Sequence, residues 1–237
     1  MQNIFRKEHY NIHTFLHSDI GFSINSINQL TSHIYISNDF MTDDISELKH
    51  CKIKNIYNIS NALKGKKIIK KYKKCGIKYI SVPITNDINS LCTSSYQEIT
   101  TAVESNQKIL IAGTEKTSLA YLVIIYYFVR RYYMLAEVRF KSNPDSLHKK
   151  INPNKFALLS IIKFIREHRT CLMLSDSHIA YLLKFEYNIK LFLYEKYKKS
   201  SDEEYSSYET TSSESSDQTE EKKYDDLNDL ISLCHKM

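Results

Sequence analysis

Between Thr117 and Tyr133 the chain reads TSLAYLVIIYYFVRRYY, a stretch apolar nearly all round and long enough for about four to five helical turns. A helix without a polar face must be covered on every side, so this segment requires a layered fold with the helix packed centrally against a sheet. KILIA (Lys108–Ala112), just before it, is β-branched, apolar and of strand length, and GTEKTS (Gly113–Ser118) joins the two. Three further short runs read as strands: HIYIS (His33–Ser37), IKNIYNIS (Ile53–Ser60) and IKYISVPI (Ile77–Ile84). Two amphipathic helices are predicted downstream, Asn154–His168 with Asn154 as N-cap, and Ala180–Tyr197. Strands alternating with helices predict a single α/β domain.

Charge divides the chain. Ser200–Glu221 holds eight acidic residues and no basic one, so the remainder carries about +14 against a total of +6. The acidic segment has no aliphatic residue to bury and is expected to be disordered. The predicted organisation is therefore an N-terminal extension over 1–27, a folded domain over 28–197 and an acidic, Ser-rich tail over 198–237. Five cysteines lie scattered, with no CxxC pair and no metal-ligand spacing. Neither metal nor cofactor is implied. No signal peptide and no apolar run of membrane-spanning length is read from the sequence, so an intracellular protein, cytoplasmic or nuclear, with no membrane partner is expected.

A strand running through a tight loop into a helix N-terminus forms an anion site, because unpaired backbone N–H groups converge there. The nucleotide-binding pattern GxxxxGK[ST] does not fit: Lys116–Thr117 follows Gly113 too closely and a second glycine is missing. ILIAGTEKTSLAYLV instead resembles, without a gap, the strand, phosphate loop and helix of the cysteine-dependent dual-specificity phosphatases, whose loop reads HCxxGx[ST]R[ST]. QLTSHIYISNDF, CKIKNIYNIS, KYISVPITND and INPNKFALLSIIKFI resemble that family's other blocks in the same order. The resemblance implies a cysteine-phosphatase fold, a central mixed sheet flanked by helices.

It also implies that the chemistry is gone. Ala112 falls at the loop His, Gly113 at the nucleophilic Cys, Lys116 at the loop Gly, Ser118 at the hydroxyl and Leu119 at the Arg. Asn86 falls at the Asp general acid, with Asp87 one position later and able to shift into place. A glycine has no nucleophile, and leucine cannot clamp phosphate oxygens as a guanidinium does. The similarity is greatest to inactive pseudophosphatases of the serine/threonine/tyrosine-interacting type, which implies a non-catalytic module that competes with active phosphatases for phosphoprotein or kinase partners. Gly113, Thr114, Glu115, Lys116, Thr117 and Ser118 form the loop remnant, in which loss of the Arg argues against tight phosphate binding. Cys92, with no strand before it and no helix N-terminus beside it, is not expected to be a nucleophile.

The lysines Lys64, Lys66, Lys67, Lys70, Lys71, Lys73 and Lys74 suit an amphipathic helix with a basic face. This face supports an alternative function, polyanion or RNA binding, though no nucleic-acid-binding motif accompanies it. In the tail, Ser200, Ser201, Ser206 and Thr211 each precede an acidic residue by three positions and are candidate phosphorylation sites. Finally, Tyr224–Cys234 (YDDLNDLISLC) places Leu227, Leu230, Ile231 and Cys234 on one helical face, a pattern suited to folding on a partner or back onto the body.

Overall fold

The computed structural model describes residues 2–16, 26–61, 64–114, 118–140, 156–168 and 174–203. Five strands form one mixed sheet: β1 (Asn28–Gln29), β2 (Ile34–Asn38), β3 (Asn55–Ile59), β4 (Lys78–Val82) and β5 (Ile109–Gly113), in the order β1-β2-β5-β3-β4. Only the β1–β2 pair is antiparallel. Every residue of β2, β3 and β5 is buried, because helices cover both faces, and the strands therefore read as near-continuous apolar runs.

Side chains leave alternate faces of each strand. Ile34, Ile36, Tyr57, Ile59, Ile109 and Ile111 join the large core built with α1 (Gln2–Leu16), α4 (Ile88–Glu104), α5 (Leu119–Phe140), α6 (Leu158–His168) and α7 (Asp176–Glu203). Tyr35, Ile56 and Leu110 face a smaller cluster under α2 (Ile45–His50) and α3 (Lys66–Lys74). A single-turn-and-more 3-10 helix, Asp39–Asp43, follows β2.

The apolar helix lies at the centre as expected, but starts at Leu119 and continues to Phe140. Over Leu119–Val138 it is long and apolar enough to cross a membrane, contrary to the sequence reading; here two thirds of that stretch (67%) is buried inside the domain. The predicted N-cap Asn154 lies outside the described residues. Within the N-terminal segment, α1 packs on α6 and α7 with Ile12 fully buried. At the other end, α7 runs beyond the boundary placed at Tyr197 to Glu203.

Buried polar groups hold the helical layer together. Glu186 of α7, fully buried, accepts hydrogen bonds from Tyr133 Oη (2.5 Å), Ala157 N (2.5 Å) and Leu158 N (3.1 Å), so it caps α6, with Lys190 Nζ 3.6 Å away. Burial pushes its carboxyl up despite these partners. On the opposite layer, α3 ends at Gly76 in the left-handed region (φ 66°), where the Ile77 N–H reaches back to Tyr72 O at 3.0 Å. That bond and the burial of both side chains make a Schellman stop.

Candidate functional site

In open sheets of this kind ligands are handled at the carboxyl ends of the parallel strands. Four residues mark that edge in one row of the ladder: Asn38 pairs with Gly113, Gly113 with Ile59, and Ile59 with Val82. Gly113 is therefore at the centre of the sheet, at the mouth of the β5–α5 loop. Asn86 follows β4 at the same edge, with β3 between the two strands.

Gly113 is not required by backbone conformation, since among the described glycines only Gly76 has a positive φ. Space is what it supplies. A Cβ on Gly113 would lie 3.1 Å from Ala120 Cβ and 3.3 Å from Ile59 O, so the first turn of α5 packs almost directly onto the strand end. Ala112 is fully buried, and Leu119 is 5% exposed and belongs to the large core. Ser118, buried with φ 54°, sits in the left-handed region and accepts the Leu122 N–H at 3.1 Å, which starts α5. That conformation costs a residue with a Cβ on the order of 1 kcal/mol. Thr114 is half-buried, and Glu115, Lys116 and Thr117 lie outside the described residues.

Asn86 is exposed at a bend, with its carbonyl accepting the Ile88 N–H at 3.0 Å. Asp87, the next residue, caps α4: its carboxylate accepts the Ser90 N–H at 3.0 Å, while its own N–H donates to Thr85 Oγ1. Cys92 lies one turn into that same helix, a helix not foreseen in the sequence. Burial nevertheless pushes its thiol up to about 12, the reverse of what activates a nucleophile.

The lysine run divides. Lys66, Lys67, Lys70, Lys71, Lys73 and Lys74 are all exposed on α3, whose buried Tyr72 donates to Thr42 O at 2.8 Å and stacks on Tyr79. Lys64 does not belong with them. It precedes α3, and its Nζ lies 3.0 Å from both Asp39 Oδ1 and Asp43 Oδ1. Asp39 also accepts from Asn58 Nδ2 (2.8 Å) and Ser60 Oγ (2.9 Å). Burial alone would raise the Asp39 carboxyl, but the hydrogen bonds from Lys64, Ser60 and Asn58 outweigh it and hold the pKa below the ordinary value. Burial opposes the charge on Lys64 too, and its two carboxylate partners reverse that, leaving its pKa raised. Sequence reasoning missed this cluster at the site's rim. The doublet Asp43–Asp44 and the nearby Asp39 were visible, but nothing local links them to a lysine 21 to 25 positions later.

Of the tail residues, Ser200 and Ser201 fall on the last turns of α7, without described side chains; Ser206, Thr211 and Tyr224–Cys234 are outside the described residues.

The architecture is that of the dual-specificity phosphatases and related protein tyrosine phosphatases. It is similar to the crystal structure of DUSP15, with a TM-score of 0.51 and 12% identity over 74% of this chain and 96% of that one. Human DUSP28 (TM-score 0.49, 11% identity, 71% and 97% covered) and the human tyrosine phosphatase-like serine/threonine/tyrosine-interacting protein (0.48, 14%, 70% and 99%) also align. No family model matches the sequence, and no curated protein matches it.

Proposed function

We propose that this chain is a catalytically inactive protein of the serine/threonine/tyrosine-interacting type, which binds phosphoprotein or kinase partners inside the cell and competes there with active phosphatases. The observation that carries the reading is Gly113. At the position that the sequence resemblance assigns to the nucleophile stands a residue without a side chain, packed so closely on Ala120 and Ile59 that a Cβ meets both. Leu119, at the position of the phosphate-clamping Arg, is taken up by the core. Loss of single members of such a unit costs on the order of 10⁴–10⁶ in rate, so two losses leave nothing usable.

The test has two arms with the full-length protein. Aryl phosphate and phosphopeptide hydrolysis should equal buffer; turnover abolished by mutating a cysteine would overturn the inactive reading. Capture of proteins from lysate should be selective at physiological salt and should fall when the lysate is first dephosphorylated. Capture indifferent to that treatment would remove phosphoproteins from the proposal.

A second reading, polyanion or RNA binding, is favoured by the six exposed lysines of α3. It requires affinity for arbitrary RNA that falls linearly on a log–log plot against salt and is lost when Lys67, Lys70, Lys71 and Lys74 are changed to Gln. Such binding, without selective protein capture, would replace the first reading.

A further inference from the structure

On the face formed by the N- and C-terminal helices lies a groove of about 1020 Å³ between α1 and α7. Half-buried Phe5 and Tyr10, which is 69% exposed, contribute its apolar surface above the buried Leu183, and exposed Arg6 and Lys184 line it with basic groups. Phe5 is anchored edge-on against Phe156 and Tyr187, so the floor is fixed. The acid near it is Asp176, at the start of α7, within 3.9 Å of His9 and 3.8 Å of His13. An occupant needs an apolar ridge and negative charge.

The chain carries such a segment. Tyr224–Cys234, YDDLNDLISLC, sets Leu227, Leu230 and Ile231 at i, i+3 and i+4 among three carboxylates, Asp225, Asp226 and Asp229, with no basic residue. Reach is sufficient. Going back along α7 from Glu203 to Lys184 covers about 29 Å at 1.5 Å per residue. The twenty residues Glu204–Lys223 span up to about 66 Å when extended and about 25 Å on average as a flexible chain. A tether of that length holds its end at about millimolar effective concentration, so even weak complementarity fills the groove.

We propose that Tyr224–Cys234 docks as an amphipathic helix in the α1–α7 groove of its own chain, Leu227, Leu230 and Ile231 against Phe5 and Tyr10, and its carboxylates towards Arg6 and Lys184. A partner using this face must first displace the segment. The inference is independent of the reading given to the β5–α5 loop.

Cys234 provides the test. In the full-length chain at micromolar concentration under mild oxidant, a Tyr10→Cys variant should form an intrachain Cys234 disulfide, read by mass spectrometry of the digest. The yield should be at least ten-fold above that of Lys70→Cys on α3, a position that a purely electrostatic association of the acidic tail with the lysine face would favour. Adding Leu227→Asp and Ile231→Asp should remove the excess and raise backbone hydrogen exchange across 224–234. Equal yields at the two positions, a yield indifferent to the Asp substitutions, or a disulfide found only between two chains would each overturn the proposal, the last in favour of a second copy in the groove.

Discussion

Placing a thiol at Gly113 is the sharpest test of what this residue does. Gly113→Cys introduces a Cβ 3.1 Å from Ala120 Cβ and 3.3 Å from Ile59 O, closer than ordinary van der Waals contact, and an Sγ beyond it. The backbone is not the obstacle, since Gly113 has no positive φ. The cost is overpacking, about 1–3 kcal/mol, because α5 must move by a few tenths of an ångström while its remaining turns are locked in the core. For a domain of this size each kcal/mol lowers Tm by about 2–4 °C, so a fall of about 2–12 °C is expected in a thermal scan. Hydrolysis of aryl phosphate should stay at background, since Leu119 offers no clamp for the phosphoryl group and Asp87 is engaged as a helix cap. Ala120→Gly added to Gly113→Cys should recover part of the loss by removing the nearer clash, against a helix-propensity cost of about 1 kcal/mol. A single variant as stable as the parent, or one that turns over substrate, would refute the reasoning about the close contact or about Leu119 respectively.

Leu119→Arg should destabilise by about 3 kcal/mol or more in denaturant melts, because it puts an unpaired charge into the core at a position 5% exposed; a stable variant that gained phosphate affinity would show that position 119 faces the loop. Asp39→Asn should cost about 1–3 kcal/mol near neutral pH. The parent carboxyl is held below its ordinary value, so its contribution is fully present above about pH 4 and disappears as pH falls through the lower native pKa; in urea melts the gap between parent and variant should therefore hold from pH 7 to about 4 and narrow as the acid limb is titrated further, and a gap that never narrows would exclude the ionised Asp39–Lys64 pair as its source. Glu186→Ala strips Tyr133, Ala157 and Leu158 of their acceptor and leaves Lys190 buried, so a loss of about 3–5 kcal/mol is expected by chemical denaturation, and a loss under 1 kcal/mol would contradict the buried network.

The sheet was legible because β2, β3 and β5 are buried on both faces, a state that demands unbroken apolar runs of strand length. Helix α5 was legible for the same reason. Helix α4 was not: its sequence, INSLCTSSYQEITTAVE, buries small or polar groups such as Cys92 and Ser95 beside Leu91 and Ile99, and Ser95 Oγ donates to Leu91 O at 2.6 Å with Tyr57 Oη 3.0 Å away. A stripe of that kind carries little hydrophobic periodicity. Helix α1 escaped notice because it packs on α6 and α7 rather than on the sheet, with Ile12 as its fully buried residue. At the candidate site the environment did not follow from sequence: the contact of Gly113 with Ala120, the cap made by Asp87 and the removal of Lys64 from the basic face are tertiary facts with no local signature.

Active sites are where a chain breaks its own packing rules, with buried charge, exposed nucleophiles and side chains aimed at empty space. At the carboxyl edge of this sheet most of these rules are kept, the exceptions among the described residues being Ser118 in the left-handed region and the buried Asn58 Oδ1, which has no hydrogen-bond partner. Gly113 lets α5 close on β3, Leu119 fills core, Asp87 satisfies a helix end, and the charged groups at the rim, Asp39, Asp43 and Lys64, satisfy one another. Exposed positive charge lies elsewhere, on the six lysines of α3 and on Arg6 and Lys184 beside the α1–α7 groove. Both surfaces are complementary to acidic chains. If the protein acts by binding, the discriminating variants belong on these two helices, and charge reversal there should alter partner capture while leaving Tm within about 2 °C, whereas substitutions at the β5–α5 junction should alter Tm first.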